Sequence, residues 1–360
     1  MKMDEILESK KILVCCGSGG VGKTTTAAAI ALEAARRGKK AIVLTIDPAK
    51  RLATALGLEQ ISDEPFEVEL PPSFPGTLSA MMLHTKRTFD HLIEKYAPSH
   101  EVAQRILENR LYTHMSNMIA GSQEYMAMER LYELYEEGRY DLLVLDTPPT
   151  RHALDFLEAP RKMIDLTGNS LIKWMLKPGL FATRLGLRAL RGGGKKILSV
   201  FDRLAGVSFL QELAEMISLL GDLIGGFHER AEAVYAVLKD PVTSFFLITT
   251  PSTVAIQDSL YFFEKIEEGG LPFSGFIINR LLPEEEPVSA KRSKNLHPKL
   301  KEKIHQLWEQ YEKLYERDQK AVQLLKKMGP SSALYTKIPL FEEDVHSLEG
   351  LQKIGHTLRH

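Results

Sequence analysis

A lysine and a hydroxyl set at the end of a run of glycines are the first residues in this chain whose types and spacing point to chemistry. Gly17-Ser18-Gly19-Gly20-Val21-Gly22-Lys23-Thr24-Thr25 follows the apolar run Ile12 to Cys16 and precedes the alanine-rich segment Thr26 to Arg37. The glycines let the backbone curl so that successive N–H groups converge on an anion. A helix starting there adds the positive end of its dipole. Lys23 brings a point charge to the β- and γ-phosphates of a nucleotide, and the Thr24 hydroxyl is a ligand for magnesium. Gly17, Gly19 and Gly22 also satisfy the looser GxGxxG pattern of dinucleotide loops, and Asp47 stands where a ribose-binding acid would. A dinucleotide loop has no use for a lysine and a hydroxyl at positions 23 and 24. The expectation is therefore a mononucleotide loop built from Gly17, Ser18, Gly19, Gly20, Val21, Gly22, Lys23, Thr24 and Thr25.

Two carboxylates follow. Asp47 ends the apolar run Lys40 to Ile46, and Asp146 ends Tyr140 to Leu145. An acid closing an apolar strand suits magnesium held through its water shell, so Thr24, Asp47 and Asp146 form the candidate metal set. Asp47 is also the candidate for orienting an attacking water, with Lys23 as its catalytic companion. The other reading of either aspartate is a cap on the next helix. Two such acids beside a phosphate loop favour function.

These residues need a sheet to hold them. The apolar runs at 12–16, 40–46, 78–84, 140–146, 244–249, 273–279 and 334–338 read as strands, several buried on both faces as in parallel sheets. Helical periodicity fills 85–137 and 154–239, then 296–327 and 345–358, and the loop 282–295 is charged and proline-bearing. The expected fold class is α/β: a mostly parallel central sheet flanked by helices, in one domain over residues 1–360. The insertions 85–137 and 154–239 would form a helical subdomain. Parallel strands put their C-terminal loops along one sheet edge, where ligands bind in open α/β folds.

Composition narrows the class. A net charge of −1 disfavours a nucleic-acid binder working through bulk electrostatics. Residues 1–11 lack an apolar secretory core, and no apolar run reaches the roughly 18 residues needed to span a bilayer. The expectation is a cytoplasmic protein. Cys15 and Cys16, the only cysteines, are adjacent in a strand and read as buried core thiols. The histidines, among them His84, His91, His100 and His114, fall at no metal-ligand spacing.

GxGGVGKTT, the strand ending Asp47-Pro48-Ala49 and the run Asp146-Thr147-Pro148-Pro149-Thr150-Arg151-His152-Ala153-Leu154-Asp155-Phe156-Leu157 resemble the arsenical-pump ATPase family. That family also contains the ATPase that targets tail-anchored membrane proteins. Glu124-Tyr125 resembles its acidic helix before the second switch. Asn279 resembles its adenine-contacting asparagine, and Pro339-Leu340-Phe341 its C-terminal PL motif. The resemblance implies a P-loop ATPase using ATP and Mg2+, with Asn279 and Pro339 on the nucleotide. It further implies that Asp47 orients water in the first switch, that Asp146 supports magnesium in the second, and that ATP closes a dimer whose switches act on a helical subdomain.

Three departures qualify the resemblance. The family's loop carries a lysine that reaches the other subunit's ATP; here that position is Ser18. The paired CxxC of zinc-clasped members is missing, and arsenite needs three thiolates where two adjacent ones exist, so neither a zinc nor an arsenite site is expected. Arg151 replaces the switch glycine. A homodimer, or a heterodimer with a lysine-bearing paralogue, are the two assemblies considered, with Arg151 as a local substitute for the charge.

In the helical region Phe209, Leu213, Met216, Ile217, Leu220, Leu223, Ile224 and Phe227 share one face. They read either as core or as a groove for a hydrophobic protein client. Arg184, Arg188, Arg191, Lys195 and Lys196 read as a solvated face or as a contact for an anionic membrane surface. The leading reading is a Mg-dependent ATPase switch on a protein or membrane-associated client. The alternatives are an ATP-binding regulatory module with little turnover alone, and a membrane or nucleoid positioning ATPase.

Overall fold

The computed structural model describes residues 2–47, 49–109, 112, 122–148, 153–168, 226–284 and 297–359. Pro48, Pro149, Thr150, Arg151, His152, His114, the apolar stripe from Phe209 to Ile224 and the basic cluster from Arg184 to Lys196 lie outside the described residues.

Eight strands form one sheet in the order β3-β4-β2-β5-β1-β6-β7-β8. They are β1 (Ile12–Cys16), β2 (Lys40–Thr45), β3 (Phe66–Val68), β4 (Thr77–Met82), β5 (Leu142–Asp146), β6 (Thr243–Thr249), β7 (Phe273–Leu281) and β8 (Leu334–Pro339). All neighbours pair in parallel except β3 with β4, so the sheet is mostly parallel as expected. Every residue of β1, β5 and β6 is buried. A strand covered on both faces has no polar side, which is why these segments read as unbroken apolar runs.

The helices of this layer are α1 (Met3–Ser9), α2 (Lys23–Arg36) and α3 (Arg51–Leu56), then α9 (Thr253–Glu268), α10 (Pro298–Met328) and α11 (Leu348–Thr357). The small side chains of α2 let it lie against β2 and β5, and α11 packs against both α2 and β8. Leu13, Val43, Val144, Phe246 and Ile248 from the sheet share one core with Ala27, Ile30, Ala31 and Ala34 of α2 and Leu351 and Ile354 of α11. The sequence-based reading misses α1. Its Met3, Ile6 and Leu7 sit at helical spacing and are buried in that core. Between the flanking helices and α1 the carboxylate of Glu33 is held by Arg36, Arg37 and Arg359. Burial alone would raise its pKa, but hydrogen bonds from Arg36 and Arg37 and the charge of Arg359 hold it below the usual value.

The chain divides into two compact units: residues Met1–Met82, Leu134–Leu154 and Leu238–His360, and residues Leu83–Glu133 with Asp155–Val237. The first contains the sheet. The second is helical: α4 (Thr85–Tyr96), α5 (His100–Leu107), most of α6 (Ser122–Glu137) and of α7 (Ala153–Gly168), and α8 over 226–239. The helical stretch expected over 85–137 holds separate helices: α4 stops before Pro98, which cannot continue a helix, and Ser99 caps α5 by accepting from Val102 N–H. This unit has its own core, where Leu92, Ile93, Ile106, Tyr125, Met126 and Phe227 pack together. Phe227, the last residue of the apolar stripe, is therefore a core residue. The Arg230 guanidinium forms an ion pair with the buried Glu129 and lies over the Tyr132 ring at 4.2 Å. No helix among the described residues is long and apolar enough to cross a membrane.

Candidate functional site

Strand register assembles the site. β1 lies between β5 and β6, and β5 lies between β1 and β2. Cys15 is level with Asp146 on one side of β5, and Thr45 is level with it on the other. The three C-terminal strand ends therefore bring together the glycine loop, Asp146 and the turn that contains Asp47.

The loop from Gly17 to Gly22 leaves β1 and enters α2 at Lys23. Two glycines are required by position. A Cβ on Gly17 would fall 2.1 Å from the Ile248 carbonyl oxygen of β6. Gly22 caps α2 at φ 91°, and a Cβ there would meet the Asn279 amide nitrogen at 2.3 Å. Gly22 has no side chain to satisfy the first N–H groups of α2, so the loop end of the helix keeps donors for an anion. Gly22→Ala should accordingly cost about 1–3 kcal/mol, through strained backbone and loss of the asparagine's hydrogen bond. Thermal melting measures this. Adding Asn279→Ala should recover only the steric part, and an unchanged melting temperature in the single variant would show that the loop relaxes freely.

Lys23 is buried and folds back so that Nζ donates to the Ser18 carbonyl at 2.9 Å. Burial lowers its pKa, while the carboxylate of Asp146 supports its charge. Thr24 Oγ1 donates to Asp146 Oδ2 at 2.6 Å, and Thr45 Oγ1 donates to the same oxygen at 2.9 Å. The other oxygen, Asp146 Oδ1, is buried with no hydrogen-bond partner. Burial pushes this carboxyl up to about 6, outweighing the two hydroxyls. A buried carboxylate oxygen left unpaired beside a threonine hydroxyl fits a divalent cation. Among the described residues no three His, Cys, Asp or Glu side chains gather as a metal cage. An ion held by Thr24 and Asp146 would thus complete its shell with water and phosphate oxygens, as magnesium does in nucleotide sites.

Asp47 stands two residues beyond Thr45, and its N–H donates to the Thr45 hydroxyl at 3.2 Å. Its Oδ1 accepts from Ala49 N–H at 2.9 Å and its Oδ2 pairs with Arg51 Nη1 at 2.8 Å. Asp47 therefore braces the chain just before α3, whose N-cap position is Lys50, and does not itself cap the helix. Thr147 ties the chain after β5 to the base of the loop, its hydroxyl donating to the Cys15 carbonyl at 2.9 Å. Both cysteines are buried; burial pushes the Cys16 thiol up to about 12 and that of Cys15 well above its ordinary value. Neither offers a thiolate at neutral pH.

On the other side of the loop the Asn279 amide donates to the Val21 carbonyl at 2.9 Å. Leu281 pairs with Pro339 across β7 and β8. Gly22, Thr25, Asn279, Arg280, Pro339 and Phe341 line a cavity of about 260 Å³. The structure thus brings Thr24 and Asp146 into direct contact, links the Asp47 backbone to Asp146 through the Thr45 hydroxyl, and sets Asn279 and Pro339 beside Gly22 and Thr25. Sequence reasoning passes over Thr45, Thr147 and Arg51. Only the last carries a local signal, a base four residues after the aspartate.

Comparison with known proteins identifies the family. The sequence profile of the anion-transporting ATPase family matches residues 10–360. The ATPase GET3A of Arabidopsis thaliana is 25% identical over 97% of this chain and 84% of its own length. The ATPase GET3 of Malassezia globosa is 23% identical over 99% of this chain and 94% of its own. An ATPase ASNA1 homolog of Babesia bovis is 27% identical over 74% of this chain and 65% of its own length. With a family match that runs from the first strand to the last residue, and with a phosphate loop, a strand-end aspartate and their connecting threonine in one place, the chain belongs to the anion-transporting ATPase family.

Proposed function

We propose that this ATPase binds ATP with Mg2+ at the loop 17–25 and hydrolyses it as a nucleotide-gated dimeric switch acting on a hydrophobic protein or membrane-associated client. The observation that carries the reading is the Thr24–Asp146 contact at 2.6 Å, with the second Asp146 oxygen buried and unpaired. The loop N–H groups and Lys23 bind the phosphates. Asn279 and Pro339 shape the cavity beside Gly22 for the base. Thr24 and Asp146 would hold magnesium, which supplies charge neutralisation at the phosphates. Asp47 orients the attacking water. The resemblance to the ATPase that targets tail-anchored membrane proteins supports a client-handling role in which the helical unit, residues Leu83–Glu133 and Asp155–Val237, receives the client. The chain leaves that unit at Glu133/Leu134 and re-enters it at Leu154/Asp155, on either side of β5. A shift in the segment after Asp146 is thereby passed covalently to the helical unit.

The second reading, a nucleotide-binding module with little turnover, is favoured by Ser18, which brings no charge where the family carries lysine. Turnover across a protein concentration series separates them. A dimeric switch turns over faster per chain as concentration rises, and Ser18→Lys should raise the rate further. Lys23→Ala should weaken ATP binding about tenfold or more, a loss of about 1.4 kcal/mol. A flat concentration profile would remove the dimer from the proposal. ATP binding without measurable turnover would leave the binding module.

A further inference from the structure

We infer that Arg51 is the cation this chain brings to the nucleotide's phosphates in place of a charge at position 18, and that Asp47 holds it until nucleotide binds. The inference rests on the reading that the site hydrolyses ATP. Position 18 itself supplies nothing: Ser18 is buried, its hydroxyl oxygen has no hydrogen-bond partner, and its carbonyl is occupied by Lys23. Arg51 is the first residue of α3, four residues after Asp47, and its Nη1 pairs with Asp47 Oδ2 at 2.8 Å. The two partners differ in exposure: the Asp47 side chain is 18% exposed and that of Arg51 62%. The carboxylate is thus fixed at the strand end while the guanidinium lies mostly in water, on a long side chain free to turn.

Magnitudes decide which partner wins. An ion pair with so exposed a cation contributes about 0–1 kcal/mol. A nucleotide's polyphosphate offers several negative charges and the paired oxygens that a guanidinium grips with two N–H groups. The phosphates therefore take Arg51 from Asp47, and the same movement releases Asp47 Oδ2 to accept from the attacking water. Water then adds to the γ-phosphorus as the bond to the β–γ bridging oxygen breaks. The electron pair leaves on ADP, and the water's protons pass to inorganic phosphate and solvent. Arg51 neutralises charge on the transferring group, as arginines do in other phosphoryl-transfer sites. Its field already reaches the loop: burial is the main reason Lys23 holds its proton less tightly than usual, and the charge of Arg51 pushes in the same direction.

The test compares the full-length wild type with Arg51→Ala and Arg51→Lys, reading kcat, KM, binding of a fluorescent ADP, and binding of ADP with aluminium fluoride, a mimic of the transferring phosphoryl group. Arg51→Ala should lower kcat about 10²–10³-fold and weaken ADP–aluminium fluoride binding by a similar factor, leaving ADP affinity within about twofold. Arg51→Lys should recover part of the loss, because it keeps the charge without the planar fork. Unchanged kcat in Arg51→Ala, a faster kcat, or an equal loss of affinity for both ADP forms would overturn the inference while wild-type turnover leaves the ATPase reading standing. A wild type that neither binds nor hydrolyses ATP, and so does not differ from Lys23→Ala, would overturn both.

Discussion

Asp47→Asn is expected to bind ATP as the wild type does and to hydrolyse it about 10²–10⁴-fold more slowly, the range lost when a positioned acid–base group is removed. The structure separates the two effects. Asparagine keeps the carbonyl oxygen that accepts from Ala49 N–H, so the turn into α3 survives. It loses the ion pair to Arg51, a loss of about 1 kcal/mol or less at so exposed a site. The proposed phosphate loop, residues 17–25, keeps every one of its residues. What disappears is a full negative charge two residues beyond Thr45, whose hydroxyl meets Asp146. Fluorescent-nucleotide titration and phosphate release measured on the same preparation check this. Hydrolysis at the parent rate would remove Asp47 from the chemistry. A raised magnesium requirement with intact maximal rate would place it with the metal instead.

Asp146→Asn should make the nucleotide-free protein more stable at neutral pH while lowering Mg-dependent hydrolysis by about 10² or more. Burial raises the Asp146 carboxyl from 3.8 to about 6. A carboxyl whose folded-state pKa lies above its unfolded value binds its proton more tightly in the fold. Its contribution to stability is full below about pH 4 and is lost as the pH rises through about 6. At neutral pH the ionised group therefore costs about 3 kcal/mol without a cation. Asparagine is neutral, has the same shape, and still accepts from Thr24 and Thr45 through one oxygen. Melting in chelator at pH 7.5 should thus rise by a few degrees in the variant. The wild type should lose stability between about pH 4 and 6, and the variant should not. Equal melting temperatures across that range would mean that the carboxylate is stabilised by something other than a bound ion. Retained Mg-dependent turnover would remove Asp146 from the metal site.

Both variants act on residues that the amino-acid sequence marks by itself. The glycine loop with Lys23 and Thr24 is a local pattern, because the backbone of a phosphate cradle is built from consecutive residues. Asp47 and Asp146 are legible because each closes an apolar run, and a strand buried on both faces leaves its mark as such a run. The same logic locates β1, β2, β5, β6, β7 and β8. It fails for β3, a three-residue antiparallel edge strand with two of its residues exposed, whose pairing with β4 leaves no periodic trace. It also fails for α1, too short to show a period until its apolar side is seen buried against α2.

Tertiary structure alone decided which groups meet. Thr24 lies 122 residues from Asp146, and Thr45 lies 101. Only the register of β1, β2 and β5 makes them neighbours, and register depends on packing across the whole sheet. Asn279 meets Val21 across 258 residues for the same reason, because β6 and β7 extend the sheet from β1. Sequence thus determined the chemical types at the loop and at two strand ends. The fold determined that one aspartate would be buried with an unpaired oxygen and the other partly buried and paired with Arg51, because burial and partners come from the neighbours around each strand end.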